Sequence, residues 1–90
     1  MLLAIDIGNT NVVVGLWPGG EDLDTEELCA TWRLASTRER TADEWHTVLQ
    51  PLLADELGDT GRVSALIVSS VVPAISRAIY RWARTRLGIE

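Results

Sequence analysis

Leu2-Leu3-Ala4-Ile5-Asp6-Ile7-Gly8-Asn9-Thr10-Asn11 is the stretch that decides the fold. Its first half is a short apolar run, which reads as a strand buried on both faces near the centre of a sheet. Its second half places a carboxylate, a glycine and three short polar side chains in a tight turn. Asn11 to Trp17 (Asn-Val-Val-Val-Gly-Leu-Trp) follows, rich in β-branched residues, and reads as a second strand. Asp6 therefore stands at the carboxyl end of the first strand, where ligands of α/β sheets gather.

The rest of the chain extends this pattern. Pro18-Gly19-Gly20 signals a turn, and the acidic segment Glu21 to Glu27 reads as a solvated loop. Leu28 to Ala35 alternates, with Leu28, Ala30, Trp32 and Leu34 on one face and Cys29, Thr31, Arg33 and Ala35 on the other, as in a half-exposed third strand. Ser36 to Arg40 is a polar connector. Thr41-Ala42-Asp43-Glu44 fits a capping box, and Trp45, Val48, Leu49, Leu52 and Leu53 continue it as one apolar helical stripe. Pro51 lies inside that stripe; it removes one hydrogen bond and presses on the Thr47 carbonyl, which predicts a kink or an early stop. Gly58 and Gly61 bracket a turn, and Val63 to Ser69 reads as a fourth strand. Pro73 suits the first turn of a second helix, with Ile75, Ile79, Trp82 and Ala83 facing inward and Arg77, Arg81 and Arg84 outward.

The order β-β-β-α-β-α implies an antiparallel meander followed by a parallel crossover, hence a mixed sheet in an α/β unit. Ninety residues make at most one small domain, burying only about 60–65% of the surface its unfolded form exposes. The composition is globular, 47% hydrophobic and 23% charged. The net charge is −5 and every basic residue is arginine. This balance gives no electrostatic reason to expect nucleic acid or an anionic membrane as partner. Cys29 is the single cysteine, so a reducing, cytoplasmic setting is the simpler expectation. The N-terminus lacks a basic n-region and is not expected to be a signal peptide. No run reaches the roughly 18 apolar residues of a membrane span.

Chemically, the Asp6 turn suits phosphate and metal. Gly8 lets the backbone turn sharply and a phosphate come close. Asn9, Thr10 and Asn11 offer donors, and successive backbone N–H groups can form an anion-binding nest. A carboxylate beside phosphates is useful chiefly with a cation between them, typically hydrated Mg²⁺; Asp6 is thus a metal orienter rather than a general base. The turn opens into a strand and has no Walker lysine, and there is no Gly-x-Gly-x-x-Gly fingerprint. The competing reading is a plain hairpin turn, with Asp, Gly and Asn present for their backbone preferences. Against it stands the cost of a buried carboxylate directly after five apolar residues.

Three segments together resemble type III pantothenate kinases, of the acetate kinase, sugar kinase, Hsp70 and actin superfamily. They are the opening Leu2 to Asn11; Trp32-Arg33-Leu34 with Arg38-Glu39-Arg40-Thr41-Ala42-Asp43-Glu44; and Ser69-Ser70-Val71-Val72-Pro73. The resemblance spans nearly the whole chain, which looks like the first third of a typical member. It implies that residues 1–90 are the N-terminal part of a ribonuclease H-like, ATP-phosphate-binding domain, with the remainder and a second domain absent. It implies phosphoryl transfer from ATP to pantothenate on the route to coenzyme A, with Mg²⁺, a monovalent cation (K⁺ or NH₄⁺) and a homodimer. Nucleotide contacts then fall on Asp6, Ile7, Gly8, Asn9, Thr10, Asn11, Val12 and Val13, with Asp6 nearest the metal. The family's Gly-x-Asp-Arg motif, which carries the proposed base for the pantothenate hydroxyl, is absent and is expected downstream of Glu90. No catalytic residue is therefore assigned in this chain, and the chain alone is expected to be inactive, because phosphoryl transfer needs positioning, charge neutralisation and an oriented nucleophile together. The alternatives are a regulatory relative of the transcription-accessory kind, binding nucleotide or a partner without turnover, and another kinase of the same superfamily.

The remaining candidates have plainer readings. Arg33, Arg38 and Arg40 could meet phosphate or carboxylate, but a solvated strand end and loop is favoured. Asp43 and Glu44 are cap residues first. His46 lies beside the apolar stripe with no second ligand nearby, and reads as an exposed helix residue. Cys29 is a small strand residue. The four tryptophans are core or interface anchors, and the Arg77, Arg81 and Arg84 stripe is a solvated face, with a dimer contact as the alternative.

Overall fold

A computed structural model describes residues 1–17, 30–58 and 63–89. Four strands, β1 (Leu2–Ile7), β2 (Asn11–Trp17), β3 (Ala30–Ala35) and β4 (Ala65–Ser70), form one sheet in the order β3-β2-β1-β4. β1 pairs antiparallel with β2 and β2 antiparallel with β3, whereas β4 runs parallel beside β1. The expected meander and parallel crossover are both present. The helix α1 (Ala42–Leu57) precedes β4, and α2 (Pro73–Trp82) follows it and continues as a π-helical turn over Ala83–Leu87. Pro18-Gly19-Gly20, Glu21 to Glu27, Leu28, Cys29 and Gly61 lie outside the described residues.

One sheet face carries the core. Leu3, Ile5 and Ile7 of β1 and Val12, Val14 and Leu16 of β2 are buried against Trp45, Leu49 and Leu53 of α1 and Ile75, Ile79 and Trp82 of α2. Trp32, Leu34, Leu66 and Val68 extend the same layer towards the two edges. The inward and outward residues predicted for β3 and α2 fall as expected within the described chain, and Arg77, Arg81 and Arg84 are exposed.

The sheet's second face is open, which corrects the expectation that Leu2–Ile7 is buried on both sides. Leu2 and Ala4 are half-buried, Asp6 is exposed, and on β4 Ile67 is 58% exposed. Apolar composition put β1 at the sheet centre, between β2 and β4, but among the described residues no element covers its outer side.

Helix starts follow local chemistry. Thr41 Oγ1 accepts the Glu44 N–H and Glu44 Oε1 accepts the Thr41 N–H, both at 3.2 Å, the reciprocal box read from the sequence. Pro73 occupies the first turn of α2. Pro51 does not stop α1, contrary to one of the two outcomes its position predicts. The helix passes through it because Leu49 and Leu53 anchor the flanking turns in the core, while Pro51 and Thr47 face solvent, where water can serve the freed carbonyl. It ends at Gly58, whose φ of 86° is left-handed and whose N–H donates to Ala54 O at 2.7 Å.

Candidate functional site at the carboxyl ends of the strands

β1, β3 and β4 all point their carboxyl ends to one edge of the sheet, and β2 begins there. Parts of the three sequence segments reach that edge: Gly8 to Asn11 forms the β1–β2 turn, Trp32-Arg33-Leu34 ends near the carboxyl end of β3, and Ser69 to Pro73 links β4 to α2. Ser36, between the two halves of the second segment, follows β3 directly. Register places Asp6 opposite Val13 on one side and Ser69 on the other, with Arg33 opposite Val13. The row Arg33–Val13–Asp6–Ser69 thus crosses the open face. Two strand spacings put Arg33 about 10 Å from Asp6.

Asp6 is exposed rather than buried, so the expected penalty for a buried carboxylate does not arise. It borders a shallow concavity of about 250 Å³ on the open face, lined also by Val13, Gly15, Thr31 and Ser69. Its carboxylate has no hydrogen-bond or ion-pair partner among the described residues. The turn beside it is similarly rich in free groups. The Gly8 N–H donates to Asn11 O at 2.9 Å, and Thr10 O accepts the Ser36 N–H at 3.0 Å. Asn9 makes no hydrogen bond among the described residues, and Thr10 engages only its carbonyl. Both are exposed.

The backbone explains which residue types this turn requires. Among the described residues only Gly58 and Gly88 have positive φ. Gly8, Asn9, Thr10 and Asn11 therefore do not occupy the left-handed conformations that select Gly and Asn in tight hairpins. The plain-turn reading loses its main physical reason. What Gly8 does require is space: a Cβ there would lie 3.3 Å from the Asn11 carbonyl oxygen.

Two neighbours brace the turn. Ser36 Oγ donates to Gly8 O at 2.6 Å from the β3 side. From the β4 side, the Val71 N–H donates to Ile7 O at 3.0 Å. Ser70 Oγ, in turn, accepts the Val72 N–H at 3.0 Å, shaping the entry to α2. In the sequence Ser36 reads only as part of a polar connector. The available signal was register: pairing β3 with β2 up to Asn11 opposite Ala35 leaves Ser36 beside Thr10.

The arginines do not form one cluster. Arg33 lies on the open face and Arg38 is exposed, whereas the Arg40 guanidinium sits 4.9 Å above the Trp45 ring. Asp43 pairs with Arg86 at 3.3 Å on the surface. His46 is neither a free surface residue nor a metal ligand; it is half-buried, and its Nδ1 accepts the Trp82 indole N–H at 3.0 Å. Among the described residues no group of three or more His, Cys, Asp or Glu is placed to hold a metal. An ion at Asp6 would need most of its ligands from phosphate and water.

Sequence comparison assigns the family. The family described as type III pantothenate kinase matches residues 2–90. The chain belongs to the type III pantothenate kinase family. The type III pantothenate kinase of Thermomicrobium roseum is 43% identical over 90 residues, all of this chain and 32% of that protein. The one from Moorella thermoacetica is 38% identical over 88 residues, 98% of this chain and 32% of that protein. The one from Sphingopyxis alaskensis is 41% identical over 90 residues, again 32% of its length. The chain thus spans about a third of these curated relatives. No described helix is long and apolar enough to cross a membrane.

Proposed function

We propose that this chain is the N-terminal, nucleotide-phosphate-binding portion of a cytoplasmic pantothenate kinase that uses ATP to phosphorylate pantothenate. The observation that carries this reading is the Asp6–Asn11 turn. It presents an unpartnered carboxylate and the free donors of Asn9 and Thr10 at the carboxyl ends of the strands, in a backbone that does not itself demand those residue types. Family membership supplies the substrate class. The antiparallel β3-β2-β1 meander with β4 parallel beside β1 supports a ribonuclease H-like domain within the actin-like superfamily.

In this reading Asp6 through Val13 meet the ATP phosphates. The donors of Asn9 and Thr10 face phosphate oxygens, and Gly8 keeps its side of the turn clear. Asp6 is the residue suited to hold Mg²⁺, consistent with the habit of that ion of binding through one or two carboxylates plus phosphate and water. Bound there, the cation neutralises charge on the transferring phosphoryl group. A monovalent cation, the pantothenate pocket, the base for its hydroxyl and a homodimer belong to the whole protein. Ile7, Val12 and Val13 contribute backbone and shape; Ile7 and Val12 are buried.

Replacing Asp6 by Ala in the full-length protein should lower pantothenate-dependent ATP turnover at least about a hundredfold. Near-normal turnover in that variant would remove Asp6 from the phosphate site. Residues 1–90 alone should show no such turnover above background.

A further inference from the structure

We infer that Ser36 is a positioning residue for the phosphate turn, an inference that rests on the reading of Asp6 to Asn11 as the nucleotide half-site. The turn lacks the internal means to fix its own shape. It has no left-handed residue, and its closing hydrogen bond runs in one direction only, from the Gly8 N–H to Asn11 O. The carbonyl of Gly8, which in a two-residue hairpin would accept from across the turn, instead accepts from Ser36 Oγ at 2.6 Å. The carbonyl of Thr10, two residues on, accepts the Ser36 N–H at 3.0 Å.

One residue, 28 positions away in sequence, therefore holds the carbonyls on both sides of Asn9. Two consequences follow. With the Gly8 carbonyl drawn towards Ser36, the Asn9 N–H of the same planar peptide is turned away from it; neither that N–H nor the Thr10 N–H is paired among the described residues, which is the polarity an anion requires. The second is rigidity. Ser36 is half-buried and follows directly on β3, so the clamp is tied to the sheet rather than to a free loop. A misplacement of about 1 Å in phosphate donors is costly because phosphoryl transfer depends on positioning.

The hydroxyl is the part that substitution can test, since the Ser36 N–H survives any side chain but proline. Full-length Ser36→Ala and Ser36→Thr are compared with wild type and Asp6→Ala for kcat and for the KM of ATP and of pantothenate. Thermal unfolding of each is followed in parallel. Ser36→Ala should raise the KM of ATP or lower kcat by about tenfold, the loss of one hydrogen bond at the site, with the KM of pantothenate unchanged. Ser36→Thr should restore most of the loss. If Asp6→Ala is inactive but Ser36→Ala has wild-type constants, the clamp is wrong and the phosphate site stands. If Asp6→Ala is active, the site reading itself fails, and the clamp with it. Should Ser36→Ala not fold, the near-isosteric pair Ser36→Val and Ser36→Thr decides. Equal ATP kinetics in those two would overturn the role of the hydroxyl, whereas loss only in the valine variant supports it.

Discussion

The indole N–H of Trp82 donates to His46 Nδ1 across 3.0 Å, joining the C-terminal end of α2 to the N-terminal part of α1. Trp82 is fully buried, so this is the outlet for its polar atom. The other buried indole, Trp45, has no partner for its N–H among the described residues. His46→Leu should therefore destabilise the protein by roughly 1–3 kcal/mol, because it strands a buried donor. In a double-mutant cycle with Trp82→Phe, the coupling should be about 1 kcal/mol, read by urea denaturation. The same histidine substitution paired with Trp45→Phe should give additive losses. Additivity in both cycles would mean that the His46–Trp82 bond contributes nothing.

Gly8 separates stability from activity. A methyl group there meets backbone, the Asn11 carbonyl at 3.3 Å, so the turn must shift rather than a flexible side chain. The carbonyl that must yield is also the one accepting the Gly8 N–H. Gly8→Ala should cost roughly 1 kcal/mol in unfolding free energy. It should lower the kcat/KM for ATP of the full-length protein by more than that figure accounts for. A stability loss with unchanged kinetics would show that the turn can move without consequence for phosphate.

Pro51 offers a gain. It sits inside α1 and is exposed, so its ring contributes little packing while the Thr47 carbonyl loses its helical donor. Proline costs about 3 kcal/mol in a helix interior relative to alanine. Its stiffening of the unfolded chain returns about 0.4–1 kcal/mol. Pro51→Ala should stabilise the protein by about 2 kcal/mol, measured as a rise in urea midpoint at constant m-value. A loss instead would mean that α1 needs a bend at Pro51 to seat Leu49 and Leu53.

Local chemistry made much of this fold readable. The Thr41–Glu44 box, the alternation along Ala30–Ala35 and the proline opening α2 each depend on residues only a few positions apart. The Asp6 turn stands out as a candidate site because its residue types are unusual after an apolar strand. What the sequence hid were contacts across distance: Ser36 to Gly8, 28 positions apart, and Trp82 to His46, 36 apart. The exposure of Asp6 was hidden for a related reason. Hydrophobicity reports that Leu2 to Ile7 prefers burial, but not which neighbouring element supplies the cover. The close approach of Gly8 to the Asn11 carbonyl is equally hidden, since a glycine in a turn suggests backbone freedom before it suggests a close carbonyl.

The open sheet face predicts how residues 1–90 behave when isolated. Leu2, Ala4, Val13, Trp17 and Ile67 share that face, and among the described residues no strand pairs with the outer edge of β4. An apolar face beside an unpaired strand edge favours association between copies. The isolated chain should therefore show concentration-dependent self-association across the micromolar range in sedimentation velocity. Ile67→Lys places a charge at the most exposed apolar position of the face, on the edge strand itself. Because Ile67 is 58% exposed, that change should reduce association with a stability effect within about 0.5 kcal/mol. Ile75→Lys, by contrast, should unfold the chain, since Ile75 is fully buried in the helix layer. A monodisperse monomer in the wild-type chain would mean that the face is covered by the chain itself. Unchanged association in the Ile67 variant would place the contact elsewhere.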